Sequence, residues 1–248
     1  MNAGKAIRWK HIFRDDGKTV IVAMDHSLRG RVSGLENYLS TVKKIAAGGA
    51  DAILLSYGNL VTLADDLPRN LGLIASIPFP PRVDFVREAG IAGADGFKFT
   101  HFGGLRDPNL HALQPIAAAC EKYGLVFMPE VVPQDANRNT LYDQVVSAAR
   151  LGQEAGGDFI KTAYTGSAAS FKEVVDSCPI PIVILGGPKM ESDRDLLQVV
   201  KGCMEAGGAG TCFGRNVFQH QDPTAITAAI CQIVHEGASV EEALQLLP

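Results

Sequence analysis

The chain has 248 residues, 46% of them hydrophobic and 20% charged, and a formal net charge of −4. That length suits one large α/β domain. The apolar content is ample for a core, and the mildly acidic balance, with no basic cluster, argues against a nucleic-acid-binding surface. No apolar run approaches the ~18 residues of a membrane span, and the N-terminus lacks a signal-peptide pattern. The five cysteines, Cys120, Cys178, Cys203, Cys212 and Cys231, are scattered and never form CxxC, which suits a reducing compartment and supplies no metal site. The expectation is a cytoplasmic protein that binds neither membrane nor nucleic acid.

Residues 1–19 are polar and mixed in charge, a lead-in expected to cover one end of the fold. The first strand is VIVAM, 20–24, apolar and β-branched as a strand buried on both faces should be. It ends in Asp25-His26-Ser27 and is followed by a loop and a helical pattern from about Leu35 to Ala47. A short pattern then recurs. Gly48-Gly49-Ala50-Asp51 precedes AILLS, Gly93-Ala94-Asp95 precedes GFKFT, Gly156-Gly157-Asp158 precedes FIKTA, and Gly207-Gly208-Ala209 precedes GTCFG. Each reads as a glycine closing a helix in left-handed geometry, with a strand immediately after it. Adding LIASI (73–77), VFMPE (126–130) and PIVILG (181–186) brings the strands to eight. Strands alternating with helices imply parallel pairing, and eight such units over 1–248 imply one closed (β/α)8 TIM barrel. An open doubly wound sheet is the competing architecture, but no GxGxxG follows the first strand. The tail from Asp222 to Leu247 reads as two amphipathic helices, with Asp222-Pro223 as N-cap and first residue.

Barrel enzymes carry their chemistry on the C-terminal ends of the strands and the loops that follow. That rule selects Asp25 and His26 after strand one, Ser56 and Tyr57 after strand two, Lys98 and His101 on strand four, and Glu130 on strand five. Strands six to eight add Lys161 and Tyr164, then Gly186-Gly187-Pro188-Lys189, then Gly214-Arg215-Asn216. Lys161 interrupts a short apolar strand, where burial disfavours the charged amine. A lysine with a depressed pKa can form a Schiff base with a carbonyl compound; an exposed strand end, or a salt bridge inside the barrel, would explain the same residue structurally. The turns after strands seven and eight sit where barrels frequently bind phosphate, and Lys189 and Arg215 would add charge there.

With MDHS at 24–27 and GLEN at 34–37, DFIKTAYTG at 158–166, PIVILGGPK at 181–189 and GAGTCFGRNVFQ at 208–219, the chain resembles the class I Schiff-base aldolases. That superfamily groups archaeal-type fructose-bisphosphate aldolase with deoxyribose-phosphate aldolase-like barrels. The last third also resembles the autoinducer-2 catabolic thiolase of the same family. The resemblance implies Lys161 as the Schiff-base lysine, a choice over Lys98 that spacing alone leaves open. It also implies Asp25 as the carboxylate that handles protons, His26 near a phosphate, and Gly186, Gly187, Gly214 and Arg215 as the phosphate cradle.

Two departures stand out: Ser27 replaces a usual glycine, and PEVVPQDAN replaces a WSYPRG-like segment that carries the family's acid–base tyrosine. Glu130, His101 or Tyr164 would then have to move the proton. The expected activity is metal-independent, cofactor-free aldol chemistry on a phosphorylated keto sugar or related ketone, in a homo-oligomer whose family precedent is a decameric ring. Acyl transfer to coenzyme A, or non-catalytic sugar-phosphate binding, are the alternatives.

Overall fold

The β-branched runs pair in chain order into one closed barrel. The computed structural model describes residues 2–26, 32–76 and 82–248. Its strands are β1 (Thr19–Ala23), β2 (Ala52–Ser56), β3 (Gly72–Ser76), β4 (Gly96–Gly103), β5 (Val126–Pro133), β6 (Ile160–Thr162), β7 (Ile182–Leu185) and β8 (Gly210–Phe213). Each lies parallel to the next, and β8 closes onto β1. This is the expected (β/α)8 barrel.

Helices α2 (Tyr38–Ala47), α3 (Tyr57–Leu63), α4 (Asp84–Ile91), α5 (Leu113–Tyr123), α6 (Val145–Glu154), α7 (Ala168–Asp176) and α8 (Asp193–Glu205) cross between successive strands. A four-residue α9 (Arg215–Phe218) follows β8. The tail adds α10 (Pro223–Cys231), whose cap Asp222 accepts from the backbone N–H groups of Thr224 and Ala225, and α11 (Val240–Leu244). Among the described residues no helix is long and apolar enough to cross a membrane.

Burial separates the strand residues by parity, because successive side chains in a strand point to opposite faces. Ile21, Ala23, Leu54, Ile74, Val126, Met128, Val183 and Cys212 form a cluster inside the barrel. Val20, Val22, Ile53, Leu55, Phe97, Phe99, Phe127, Ile182 and Ile184 belong to the layer shared with the helices. The lead-in segment closes the bottom: α1 (Ala3–Ile12) sends Ile12, followed by Phe13, into the interior cluster, with Trp9 stacked on Phe13 at 4.1 Å between centroids.

The recurring Gly-Asp pattern gains a physical meaning here. Gly49, Gly93, Gly156 and Gly207 all have φ between 88° and 100°, a region that residues with a Cβ rarely adopt. The three aspartates that follow then serve one device. Asp51, Asp95 and Asp158 accept from the backbone N–H groups of Val20 (2.6 Å), Leu73 (2.9 Å) and Phe127 (2.7 Å), each at the start of the preceding strand. Their second oxygens meet Arg14, His11 and Lys5 of the lead-in segment. The N-terminal segment is therefore pinned under the barrel at three points.

Asp158→Ala is expected to destabilise the protein by about 1–3 kcal/mol, because the Phe127 N–H loses its acceptor while Lys5 retains Glu121 at 2.7 Å. Urea unfolding measures it, and the reactive end of the barrel, on the far side, should keep its activity.

Candidate active site

The inward parity that fills the barrel with apolar side chains continues upward into charged ones. Above Ala23 comes Asp25, above Met128 comes Glu130, and above Gly96 come Lys98 and Thr100, while Lys161 points inward from β6. Lys98 Nζ donates to Asp25 Oδ2 at 2.8 Å and to Glu130 Oε2 at 3.1 Å. Lys161 Nζ lies 2.6 Å from Glu130 Oε1, and Thr100 Oγ1 donates to Glu130 Oε2 at 2.8 Å. The side chains of Lys98, Lys161 and Glu130 are 3%, 6% and 4% exposed, so the pairs lie out of water. Two cations and two carboxylates cancel, and that balance offsets the large desolvation cost of burying each charge.

Burial pushes the Glu130 carboxyl up, but the charges of Lys161 and Lys98 outweigh it and hold Glu130 down at about 2. Asp25 is likewise held well below the usual carboxylate range, against burial, by Lys98 and Lys161 and by hydrogen bonds from Lys98 and Ser76. For Lys161, burial acts to lower the pKa, yet the attraction of Cys212, Glu130 and Asp25 raises it above the ordinary lysine value. Burial pushes the Cys212 thiol up to about 11, so near neutral pH the two carboxylates supply that attraction. The expectation of a depressed Lys161 pKa is therefore corrected. The pKa is raised rather than depressed because the strand-five neighbour of the amine is a carboxylate. Lys98, which could have faced the helices, faces inward instead and ties both carboxylates together.

These groups line a cavity of about 940 Å³ at the C-terminal end of the barrel. Gly186, Gly187, Pro188, Gly214 and Arg215 line it from the β7 and β8 loops. Asn216 holds those loops together, donating to the carbonyls of Gly186 (2.9 Å) and Pro188 (3.2 Å) and accepting from the Met190 N–H (2.8 Å). Gly214 admits no side chain, since a Cβ there would lie 2.5 Å from the His26 ring and 2.9 Å from the Ala23 carbonyl oxygen. His26 also lies on this side, its ring edge-on to Phe218 at 5.3 Å. Arg215 Nε is buried with no hydrogen-bond partner among the described residues, and the residue lines this end of the cavity.

Three sequence expectations are corrected by position. His101 shares its parity with Phe97 and Phe99, faces away from the cavity and contacts the Gly104 carbonyl through Nε2 at 3.2 Å. Tyr164 packs on Phe171 of α7, and its hydroxyl lies against Gly202 of α8, where a Cβ would come within 2.2 Å of it. Lys189 is exposed and donates to the Gln219 carbonyl at 2.8 Å, outside the cavity lining. Ser27 lies outside the described residues. Thr100 and Ser76 carry no catalytic signal in the sequence. Both could have been found from parity alone, counting two from Lys98 and from Ile74.

A family model described as DeoC/LacD family aldolase matches residues 19–220. A 2-amino-3,7-dideoxy-D-threo-hept-6-ulosonate synthase of Halobacterium salinarum is 36% identical over 98% of this chain and 96% of its own length. An enzyme of the same name from Archaeoglobus fulgidus is 31% identical over 98% and 95%. A solved structure of a Schiff-base-forming fructose-1,6-bisphosphate aldolase superposes with a TM-score of 0.81 at 25% identity, covering 93% of this chain and 100% of that one.

Proposed function

Since the chain belongs to the DeoC/LacD aldolase family and is a class I aldolase-type lyase, we propose that it joins a phosphorylated ketone to an aldehyde through an imine on Lys161, with Glu130 as the acid–base. One observation carries this reading: the 2.6 Å contact between Lys161 Nζ and Glu130 Oε1, both nearly excluded from solvent. An amine held protonated cannot attack a carbonyl, but a carboxylate at that distance can take its proton when a ketone displaces the ion pair. The transfer produces the nucleophile and a neutral acid in the same place.

The steps then balance. Lys161 Nζ adds to the ketone carbon, and the carbonyl oxygen takes the proton from Glu130, giving a carbinolamine. Loss of water, with protons passed through Glu130 and Asp25, leaves an iminium. Glu130 takes the proton from the adjacent carbon to give the enamine, whose carbon forms the new bond to the aldehyde carbon. The aldehyde oxygen takes up a proton from Glu130, and water returns to the iminium to release product and amine. Cleavage is the same sequence reversed. Lys98 acts as a positioning residue, holding Asp25 and Glu130 at a fixed separation through its bonds to both.

The ketone's phosphate is assigned to the β7 and β8 loops. There Gly186, Gly187 and Gly214 let backbone approach a ligand closely, and the buried Nε of Arg215 lacks a partner among the described residues. Held at a distance from the reacting carbon, the phosphate contributes positioning energy. The direction of bond formation follows the relatives, which are synthases by name.

The test is sodium borohydride reduction in the presence of a panel of phosphorylated ketones, followed by peptide mass mapping. An adduct on the peptide carrying Lys161 is the expected result. An adduct on Lys98 would move the site, and none with any ketone would remove the imine mechanism.

A further inference from the structure

Glu130 has two carboxylate oxygens, and the site treats them differently. In the barrel register Thr100 pairs with Glu130, and Glu130 pairs with Lys161, so these three inward side chains form one row across β4, β5 and β6. Lys98 reaches up from the row below, where it pairs with Met128. Glu130 Oε2 accepts from Thr100 Oγ1 at 2.8 Å and from Lys98 Nζ at 3.1 Å, which occupies both of its lone pairs. Among the described residues Oε1 meets Lys161 Nζ alone, at 2.6 Å. A lone pair therefore stays open on the oxygen that faces the amine.

The two donors on Oε2 differ in how firmly they hold it. Lys98 is a compact cation on a flexible four-carbon stem, and it lies closer to Asp25, at 2.8 Å, than to Glu130. Thr100 is β-branched, which restricts χ1, and its backbone is paired directly with that of Glu130. Its hydroxyl thus has a fixed origin and a narrow choice of direction. When Oε1 takes a proton, Oε2 remains an acceptor, so the bond from Thr100 survives both charge states of the carboxyl. A carboxyl free to turn about Cγ–Cδ would often carry its proton on the oxygen turned away from the substrate.

We propose that Thr100 is a positioning residue for the acid–base: by holding Oε2, it aims Oε1 of Glu130 at Lys161 and at the carbon bound there, so that one oxygen both takes and returns the proton. The part played by Glu130 rests on the imine reading; the hold on its carboxyl rests on the contacts alone.

Thr100→Val keeps the β-branched shape and removes the hydroxyl, while Thr100→Ser keeps the hydroxyl. With a trapping ketone phosphate alone in deuterium oxide, proton NMR follows exchange of the hydrogen on the carbon beside the imine, a step that Glu130 performs without any aldehyde. Exchange and kcat should both fall roughly 10- to 100-fold in Thr100→Val, the scale of one hydrogen bond to a charged group. KM should stay within about twofold, since ground-state binding is untouched, and Thr100→Ser should recover most of both rates. The borohydride adduct on Lys161 should form to the same extent in all three proteins. Exchange in Thr100→Val within about twofold of the wild type would overturn the inference. An equal loss in Thr100→Ser would also overturn it, by assigning the effect to packing of the methyl group, and so would a parallel loss of the adduct, by assigning it to the shape of the whole site.

A crystal structure of Thr100→Val reads the positioning itself. The Glu130 carboxyl should turn, so that Oε1 no longer faces Lys161 in the same way. A carboxyl unmoved against Lys161 would overturn the inference whether or not Lys161 forms an imine. A turned carboxyl in a protein that traps no ketone would uphold the grip of Thr100 on Glu130 and remove only the imine mechanism.

Discussion

Lys161→Met is expected to lower turnover on the order of 10⁵-fold, the scale of loss when a covalent nucleophile is removed, and to abolish the borohydride adduct. Methionine fills much of the lysine's volume, but it leaves Glu130 and Asp25 facing Lys98 alone, so a modest loss of stability should accompany the loss of activity. Lys161→Arg separates the two effects. Its guanidinium keeps a positive charge beside Glu130 but cannot act as the nucleophile, so this variant should be as inactive as Lys161→Met while melting closer to the wild type.

The protonation state of Lys161 gives a sharper test. The carboxylates hold its amine above the ordinary lysine value of 10.5, so if the proton had to leave to solvent, imine formation would accelerate about tenfold per pH unit through the neutral range. Transfer to Glu130 within the site removes that dependence, and the rate of imine formation should be nearly flat from about pH 6.5 to about pH 9, above ordinary His titration and below that of Lys. A steep rise there would mean that the amine deprotonates to water and that Glu130 is not its acceptor. The stability contribution has its own sign. A raised folded-state pKa stabilises the fold fully below 10.5 and less and less as pH climbs past it toward the folded value.

The barrel itself was legible because its signals are local. Each strand is a short β-branched run, and four helix ends carry a glycine that the backbone requires in left-handed form. The errors arise where a local rule lacks phase. The end-of-strand rule gives height in the barrel but not direction, and so it selected Lys98 and His101 together. Three residues apart on one regular strand, they cannot both face inward.

Tyr164 lies just past a strand of only three residues, where no parity guided the choice, and it packed under α7 and α8 instead. The charge state of Lys161 was out of reach for another reason. Desolvation can be foreseen from an apolar run around a lysine, but the opposing attraction comes from Glu130 and Asp25, which are 31 and 136 residues away in the chain and adjacent only once the barrel closes. Lys98 is the same case, since nothing near it in sequence announces that it bridges two carboxylates.

Glu130→Gln should separate imine formation from bond making. Glutamine keeps the shape and accepts a hydrogen bond from Thr100 or a lysine, but it cannot take up and return a proton, so turnover should fall about 10²- to 10⁴-fold, the usual range for an acid–base group. Trapping should persist: Lys161 loses its strongest local attraction, its pKa falls as burial acts less opposed, and more neutral amine is available to a ketone. Stability should drop, by about 3–5 kcal/mol, because two buried cations then share one carboxylate.

Adding Lys98→Met restores the balance of one cation and one carboxylate, so the double variant should recover part of that stability while regaining no activity. If activity returned with stability, Glu130 would be a structural counter-ion rather than the acid–base. The acid limb gives a further check. A carboxyl held at about 2 against an ordinary 4.5 stabilises the fold above pH 4.5 and loses that contribution as pH falls from 4.5 toward 2. Acid unfolding of the wild type should be steepest in that window, and the slope should be shallower in Glu130→Gln.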